Sequence, residues 1–312
     1  MGGDLRALMC DRILSRQRIT DEDVRALITV LLPDGIVDRD DAVPLFEINR
    51  VEAPPPDAWS HLFSELLIEF VNRQSGPDRI ISPDTAEWLV NGLSLDGRIR
   101  TWHELDALLR MVEMARECPP VLPLFALRQA RDAVVNGYGA ARGGRPGLVA
   151  TITGADIELV RRILMAPEDG RTMPVTRAEA EILFDMNDRT RETENHPSWV
   201  DLFVKAVSHY LLASCGYAVP HRRLMLGDTA PAILSGDPRG ALDRLLAAGV
   251  NAATNAADLD VAFADTEETR WLSNRIARDG EMRDNERILL FVLRHGGVTL
   301  PASLQTLVDT AA

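Results

Sequence analysis

The sequence predicts an all-α fold built from two tandem copies of one helical unit. Apolar residues after Trp59 recur at the three- and four-residue spacing of a helix with one buried face, through Leu66 to Phe70. The same spacing follows Trp199 as far as Leu211. Strands would alternate apolar and polar residues between turn signals, and that pattern is missing from the sequence. We therefore expect about six helices in each unit.

Recurring residue groups support the duplication. In chain order, Ile19-Thr20 recurs as Ile152-Thr153, Leu45-Phe46 as Leu183-Phe184, Trp59 as Trp199, and Trp88 as Trp271. The offset between the copies is 140 residues at the first tryptophan pair in this series and 183 at the second. The second copy therefore carries 43 additional residues, at about positions 217–265. Such an insertion either contacts a partner or packs against its own unit or the sister unit.

A run rich in glycine, Arg142 to Gly147, separates the copies and is typical of a linker. The predicted organisation is a first helical unit over 1–141, a linker over 142–147 and a second helical unit over 148–312.

Capping-box patterns in the sequence predict where three of the helices begin. Each places a hydroxyl three residues before an acid, and the pairs are Thr20 with Asp23, Thr101 with Glu104, and Thr176 with Glu179. Ser82-Pro83 predicts an N-cap followed by proline in the first helical turn.

Composition narrows the functional classes. The 312 residues carry a formal net charge of -13, which repels nucleic acid and anionic lipid surfaces. No apolar stretch reaches the length of a membrane helix, so no membrane insertion is expected. The three cysteines are widely separated and encode neither a disulfide framework nor a zinc site. A reducing cytoplasm is the expected compartment.

Four Asp-Gly pairs follow predicted helices, at Asp34, Asp96, Asp169 and Asp279, and an acid follows each of them. These turns resemble those of the tellurite-resistance TerB-like helical family and, more distantly, a degenerate EF-hand. The resemblance implies a compact helical domain whose acidic turns hold a metal. An EF-hand loop needs oxygen ligands early in the loop, where the first turn offers Val30 and Leu32, so EF-hand calcium binding is not expected.

The acidic cluster around the first turn is the candidate metal site. Its members are Asp34, Asp38, Asp40 and Asp41, and the predicted ligands of a weakly bound divalent cation are Asp34, Asp38 and Asp41. The alternative makes Asp38 an N-cap and Asp41 the acid of its capping box. No other cofactor is predicted.

Other polar residues favour structural roles. Asn49 and Asn187 follow the Leu-Phe pairs, and we interpret them as helix C-caps. The four repeated tryptophans are expected in the cores. The six histidines lack the spacing that places two ligands on one helical face, and surface or half-buried positions are expected for them.

Because no catalytic motif is present, the leading hypothesis is a non-enzymatic helical scaffold or adaptor that offers an acidic surface to a protein partner. A TerB-like cation-binding module in a stress response is the second hypothesis. An enzyme with its site between the two units is the third.

Overall fold

The computed structural model describes residues 2–31, 35–51, 53–166, 174–214, 219–227, 267–276, 282–295 and 305–306. Within these ranges the chain is helical and contains no strand, which confirms the all-α class. None of the helices in these ranges has both the length and the apolar character needed to cross a bilayer.

Thirteen α-helices are defined within the described ranges. They are α1 (Gly2–Arg16), α2 (Asp21–Leu31), α3 (Arg39–Asn49), α4 (Asp57–Ser75), α5 (Pro83–Leu93), α6 (Trp102–Met114), α7 (Val121–Asn136), α8 (Gly154–Met165), α9 (Arg177–Arg189), α10 (Ser198–Ser214), α11 (Arg222–Leu226), α12 (Glu267–Ile276) and α13 (Asp284–His295). A single turn of 3-10 helix, Ala140–Arg142, follows α7.

The chain divides into two compact units, which meet in sequence between Gly147 and Leu148. The predicted linker forms a hydrogen-bonded turn at the end of the first unit, where the Gly147 amide donates to the Gly137 carbonyl at 2.7 Å. Gly143 and Gly144 adopt φ values of 61° and 68°, a left-handed conformation that glycine takes without steric cost.

The predicted helix starts are confirmed. Each of the three predicted capping boxes has its reciprocal bonds, as in α9, where the Thr176 amide donates to Glu179 at 2.7 Å and the Glu179 amide donates to Thr176 at 3.3 Å. Ser82 caps α5 with Pro83 in its first turn. Each box satisfies amides that have no partner inside the helix.

In the first unit, an aromatic cluster fills the space between α3, α4 and α5. The Phe46 ring meets Phe63 and Trp88 edge to face, with centroid distances of 5.7 and 5.4 Å. Trp88 also contacts Phe70 at 5.4 Å. Trp59 is completely buried, as predicted, whereas Trp88 is half-buried. Helix α4 packs closely along α6.

The second unit has a similar aromatic cluster, in which a tyrosine replaces one of the phenylalanines. Phe184 meets Phe203 and Trp271 edge to face at 5.0 and 5.6 Å. Tyr210 contacts Trp271 at 5.2 Å. Trp199 is completely buried at the start of α10.

One Asp-Gly turn has both residues described. Asp96 and Gly97 adopt φ values of 54° and 77°, and the flanking Leu95 and Arg98 exchange two backbone hydrogen bonds of 3.0 Å. This is the geometry of a tight two-residue turn with both central residues left-handed, which Asp-Gly favours. The other three Asp-Gly pairs lie wholly or partly outside the described residues.

Of the predicted insertion, only 219–227 lies within the described residues. This stretch packs into its own unit, because Arg222 on α11 is buried and forms an ion pair with Glu179 on α9. The guanidinium also donates to the Leu164 and Pro174 carbonyls, at 2.9 and 2.5 Å.

Candidate functional site

Two of the predicted metal ligands, Asp38 and Asp41, lie within the described residues and form hydrogen bonds that cap α3. Asp38 caps α3, and its carboxylate accepts from the Asp41 amide at 3.0 Å. The Asp41 carboxylate in turn accepts from the Asp38 amide, at 3.4 Å, which completes a capping box. Asp34 lies outside the described residues. Across the residues that are described, no three or more His, Cys, Asp or Glu side chains group as a metal site.

The interpretation of Asn49 and Asn187 as C-caps is wrong. Asn49 is the last residue of α3, but its side chain is buried and accepts from the Trp59 indole at 3.0 Å. Its amide group also donates to the buried Glu104 carboxylate, whose pKa is raised by burial. Asn187 lies inside α9 and accepts from the Trp199 indole at 3.2 Å. Both asparagines therefore provide the partner that a buried indole N–H requires.

A polar cleft in the second unit is the candidate functional site. It consists of two adjoining pockets with volumes of about 720 and 630 Å³. Its walls are formed by the end of α9, the loop 190–197 and α12. Both pockets are lined by Arg191, Glu192, Thr193 and Arg283.

The loop 190–197 is held rigidly by its own polar side chains. Asn195 donates to the Thr190 carbonyl at 3.1 Å and to its hydroxyl at 2.9 Å, and it accepts from the Ile152 amide at 2.8 Å. The Thr193 hydroxyl donates to the Ala150 carbonyl, and the His196 amide donates to Ile152 at 2.8 Å. These bonds tie the loop to the segment that precedes α8, so the cleft wall is preformed.

The start of α13 forms the floor of the cleft. The Asn285 side chain donates to the side-chain oxygen Oδ1 of Asn187 at 2.6 Å, and the same oxygen accepts from Trp199. Glu286 is buried, and its carboxylate accepts from the Arg283 amide at 2.9 Å. The floor thus combines fixed amide groups with a carboxylate at the first turn of a helix.

Arg275 on α12 closes one wall. Its guanidinium lies over the Phe184 ring, 5.4 Å from the centroid, and is 3.2 Å from Asp188. Its Nε lies 3.6 Å from Glu181 and is a buried atom without a hydrogen-bond partner. The side chain is held by charge and packing from both sides, which fixes the position of this wall.

The lining carries both signs of charge with an excess of acids. Its arginines are Arg189, Arg191, Arg275 and Arg283, and its acids are Asp185, Asp188, Glu192, Glu194, Asp284 and Glu286. None of the lining residues described is serine, cysteine or lysine. Fixed charges, amides and backbone groups of this kind are suited to recognition of a polar ligand.

His209 is a buried polar residue that the sequence analysis missed. It lies in α10 with its side chain fully buried, where surface or half-buried positions were expected. Nδ1 accepts from the Val175 amide at 3.1 Å, and Nε2 lies 2.8 Å from the Pro220 carbonyl, to which it donates. Burial lowers the pKa of His209 to about 4, and the nearby Arg222 acts in the same direction. The neutral imidazole thus connects the start of α9 to the start of the insertion.

Comparison of the chain with protein-family models, with curated proteins and with solved structures finds no match.

Proposed function

We propose that this chain is a helical scaffold that binds a segment of a partner protein in the polar cleft of its second unit. The observation that carries the proposal is the lining of the cleft, in which six carboxylates and four guanidiniums surround a preformed floor of asparagine side chains. A peptide that is net basic but carries both signs of charge is the ligand class this lining favours.

Comparison of the two units supports this assignment. We infer that they are copies of one helical unit, because each unit buries an indole against an asparagine and surrounds a phenylalanine with aromatic rings. In the first unit, Arg50 occupies the region beside Asn49 and donates to carbonyls at the end of α5, the closest at 2.9 Å. Arg100 donates to the Val51 carbonyl there at 3.4 Å.

In the second unit the residue that follows the asparagine is Asp188, which pairs with Arg275 instead. The region beside Asn187 is therefore left as an open cleft. Arginine side chains thus occupy the region beside Asn49 in the first unit, whereas a cleft lined by charges of both signs lies beside Asn187 in the second unit. This difference is consistent with a binding role that the second unit alone acquired.

The test uses the full chain immobilised and exposed to native lysate of its source cells. The cleft variant is Glu192→Lys with Glu194→Lys, since both side chains are exposed and their replacement leaves the core intact. The control variant is Glu69→Lys with Glu87→Lys, which makes the same change in net charge on exposed positions of the first unit.

We expect a set of proteins that the unmodified chain and the control variant retain and that the cleft variant loses. Higher salt should reduce the retention, because much of the attraction is between exposed charges. Retention of the same proteins by the cleft variant, or no specific retention by any form, would contradict the proposal.

A further inference from the structure

We propose that His61 and His103 in the first unit bind a divalent transition-metal ion of the zinc, nickel and copper class. His61 is exposed on α4 and His103 is half-buried on α6. Their imidazole centroids lie 5.6 Å apart, with ring planes inclined at 63°. This pair is independent of the acidic turn and of the polar cleft.

The separation of the two rings fits chelation of one ion. A zinc–nitrogen bond is about 2.0–2.1 Å, so each ring centroid lies roughly 3 Å from a bound ion. Two imidazoles on one tetrahedral ion then have centroids roughly 5 Å apart. The observed 5.6 Å therefore needs only rotation of the side chains, without movement of the helices.

Among the residues that the structure describes, the ring nitrogens of this pair have no hydrogen-bonding partner. In the part of the chain that the structure describes, neither imidazole makes a hydrogen bond or ion pair, and their contact is with each other. His196, His209 and His221 differ, because each accepts a backbone amide at Nδ1. A histidine that only fills space or caps a helix does not need a second imidazole at this distance.

The two histidines lie on neighbouring helices that run in the same direction. Helices α4 and α6 run parallel, because Glu65 and Asn72 on α4 meet Arg110 and Met114 in the same order along α6. Asp57 lies one turn before His61 on the same face of α4, and Glu65, one turn after it, is paired with Arg110 at 2.8 Å. The ion would thus connect two neighbouring helices, with water completing its coordination.

Isothermal titration calorimetry of the full chain with Zn²⁺ at pH 7.5 tests the proposal. We expect one ion per chain, with affinity at least tenfold weaker in His61→Ala and in His103→Ala. The loss in the double variant should be smaller than the sum of the two single losses, because both histidines bind one ion. His196→Ala is the control and should bind as the unmodified chain does.

Ca²⁺ should give no binding at this pair, since it prefers oxygen ligands. Circular dichroism of each variant shows whether the helices are retained. Absence of Zn²⁺ binding at millimolar concentration, unchanged affinity in either single variant, or additive losses in the double variant would overturn the proposal.

Discussion

Acid is expected to weaken the second unit through His209, because this side chain is buried as the neutral imidazole. Its Nδ1 accepts the Val175 amide and therefore holds no proton. Protonation would place two N–H groups against each other in a buried position near the Arg222 guanidinium. Protonation of His209 is therefore less favourable in the folded chain than in the unfolded chain.

The magnitude follows from the two pKa values. The pKa falls from its ordinary value of 6.5 to about 4 in the folded chain. A lowered pKa means that the contribution of this group to stability is complete above pH 6.5 and is lost as the pH falls toward 4. At 1.36 kcal/mol per unit, the full loss is about 3 kcal/mol, of which about 2 kcal/mol is lost by pH 5.

Urea denaturation of the full chain and of His209→Gln, at pH 7 and pH 5, measures this contribution. Other groups also titrate in this range, but they do so in both proteins and cancel in the difference. The variant should be less stable than the unmodified chain at pH 7. The difference between their free energies of unfolding should be smaller by about 2 kcal/mol at pH 5. His196→Gln, at an exposed position, should show no such narrowing. A constant gap for His209→Gln, or a pKa near 6.5 for His209 in an NMR titration of the folded chain, would refute the reasoning.

Two further substitutions test the buried polar network of each unit by urea denaturation. Asn49→Ala leaves Glu104 Oε1 and the Trp59 indole N–H without their buried partner and should cost about 2–3 kcal/mol of unfolding free energy, so a loss under about 0.5 kcal/mol would argue against this network. Arg222→Met leaves the buried Glu179 carboxylate without its ion-pair partner and should cost about 3–5 kcal/mol, whereas Arg223→Met, at an exposed position, should change stability by less than about 0.5 kcal/mol. Equal effects of the two arginine substitutions would contradict the assigned role of Arg222.

The helices could be predicted because their signals are local. A hydroxyl three residues before an acid determines the start of α6 through bonds within a single turn, from Thr101 to Glu104. Asp38 and Asp41 are also three residues apart, so the sequence alone predicted a capping box as the alternative to a metal site. The structure contains that capping box. Apolar spacing likewise placed Trp59 and Trp199 in the cores.

The polar contacts of the interior could not be predicted in the same way. Asparagine near a helix end is compatible with a C-cap and with a buried hydrogen bond, and only the partner distinguishes them. The available signal was that a tryptophan follows each asparagine, 10 residues after Asn49 and 12 residues after Asn187. His209 also had a signal, since α10 is apolar on nearly all sides and leaves little exposed surface for it.

The cleft and the histidine pair depend on residues distant in sequence. The cleft brings the end of α9 together with α13, as in the bond between Asn187 and Asn285, which lie 98 positions apart. His61 and His103 meet only because α4 and α6 run side by side. No local pattern encodes either juxtaposition, so both required the fold.

Hydrogen–deuterium exchange of the full chain, with and without a protein recovered by the capture experiment, tests the central claim most directly. If a partner segment occupies the polar cleft, amide exchange should slow in the loop 190–197 and in the first turn of α13, while α4 and α6 remain unchanged. Slower exchange confined to the first unit, or no change in either unit, would contradict binding in the cleft.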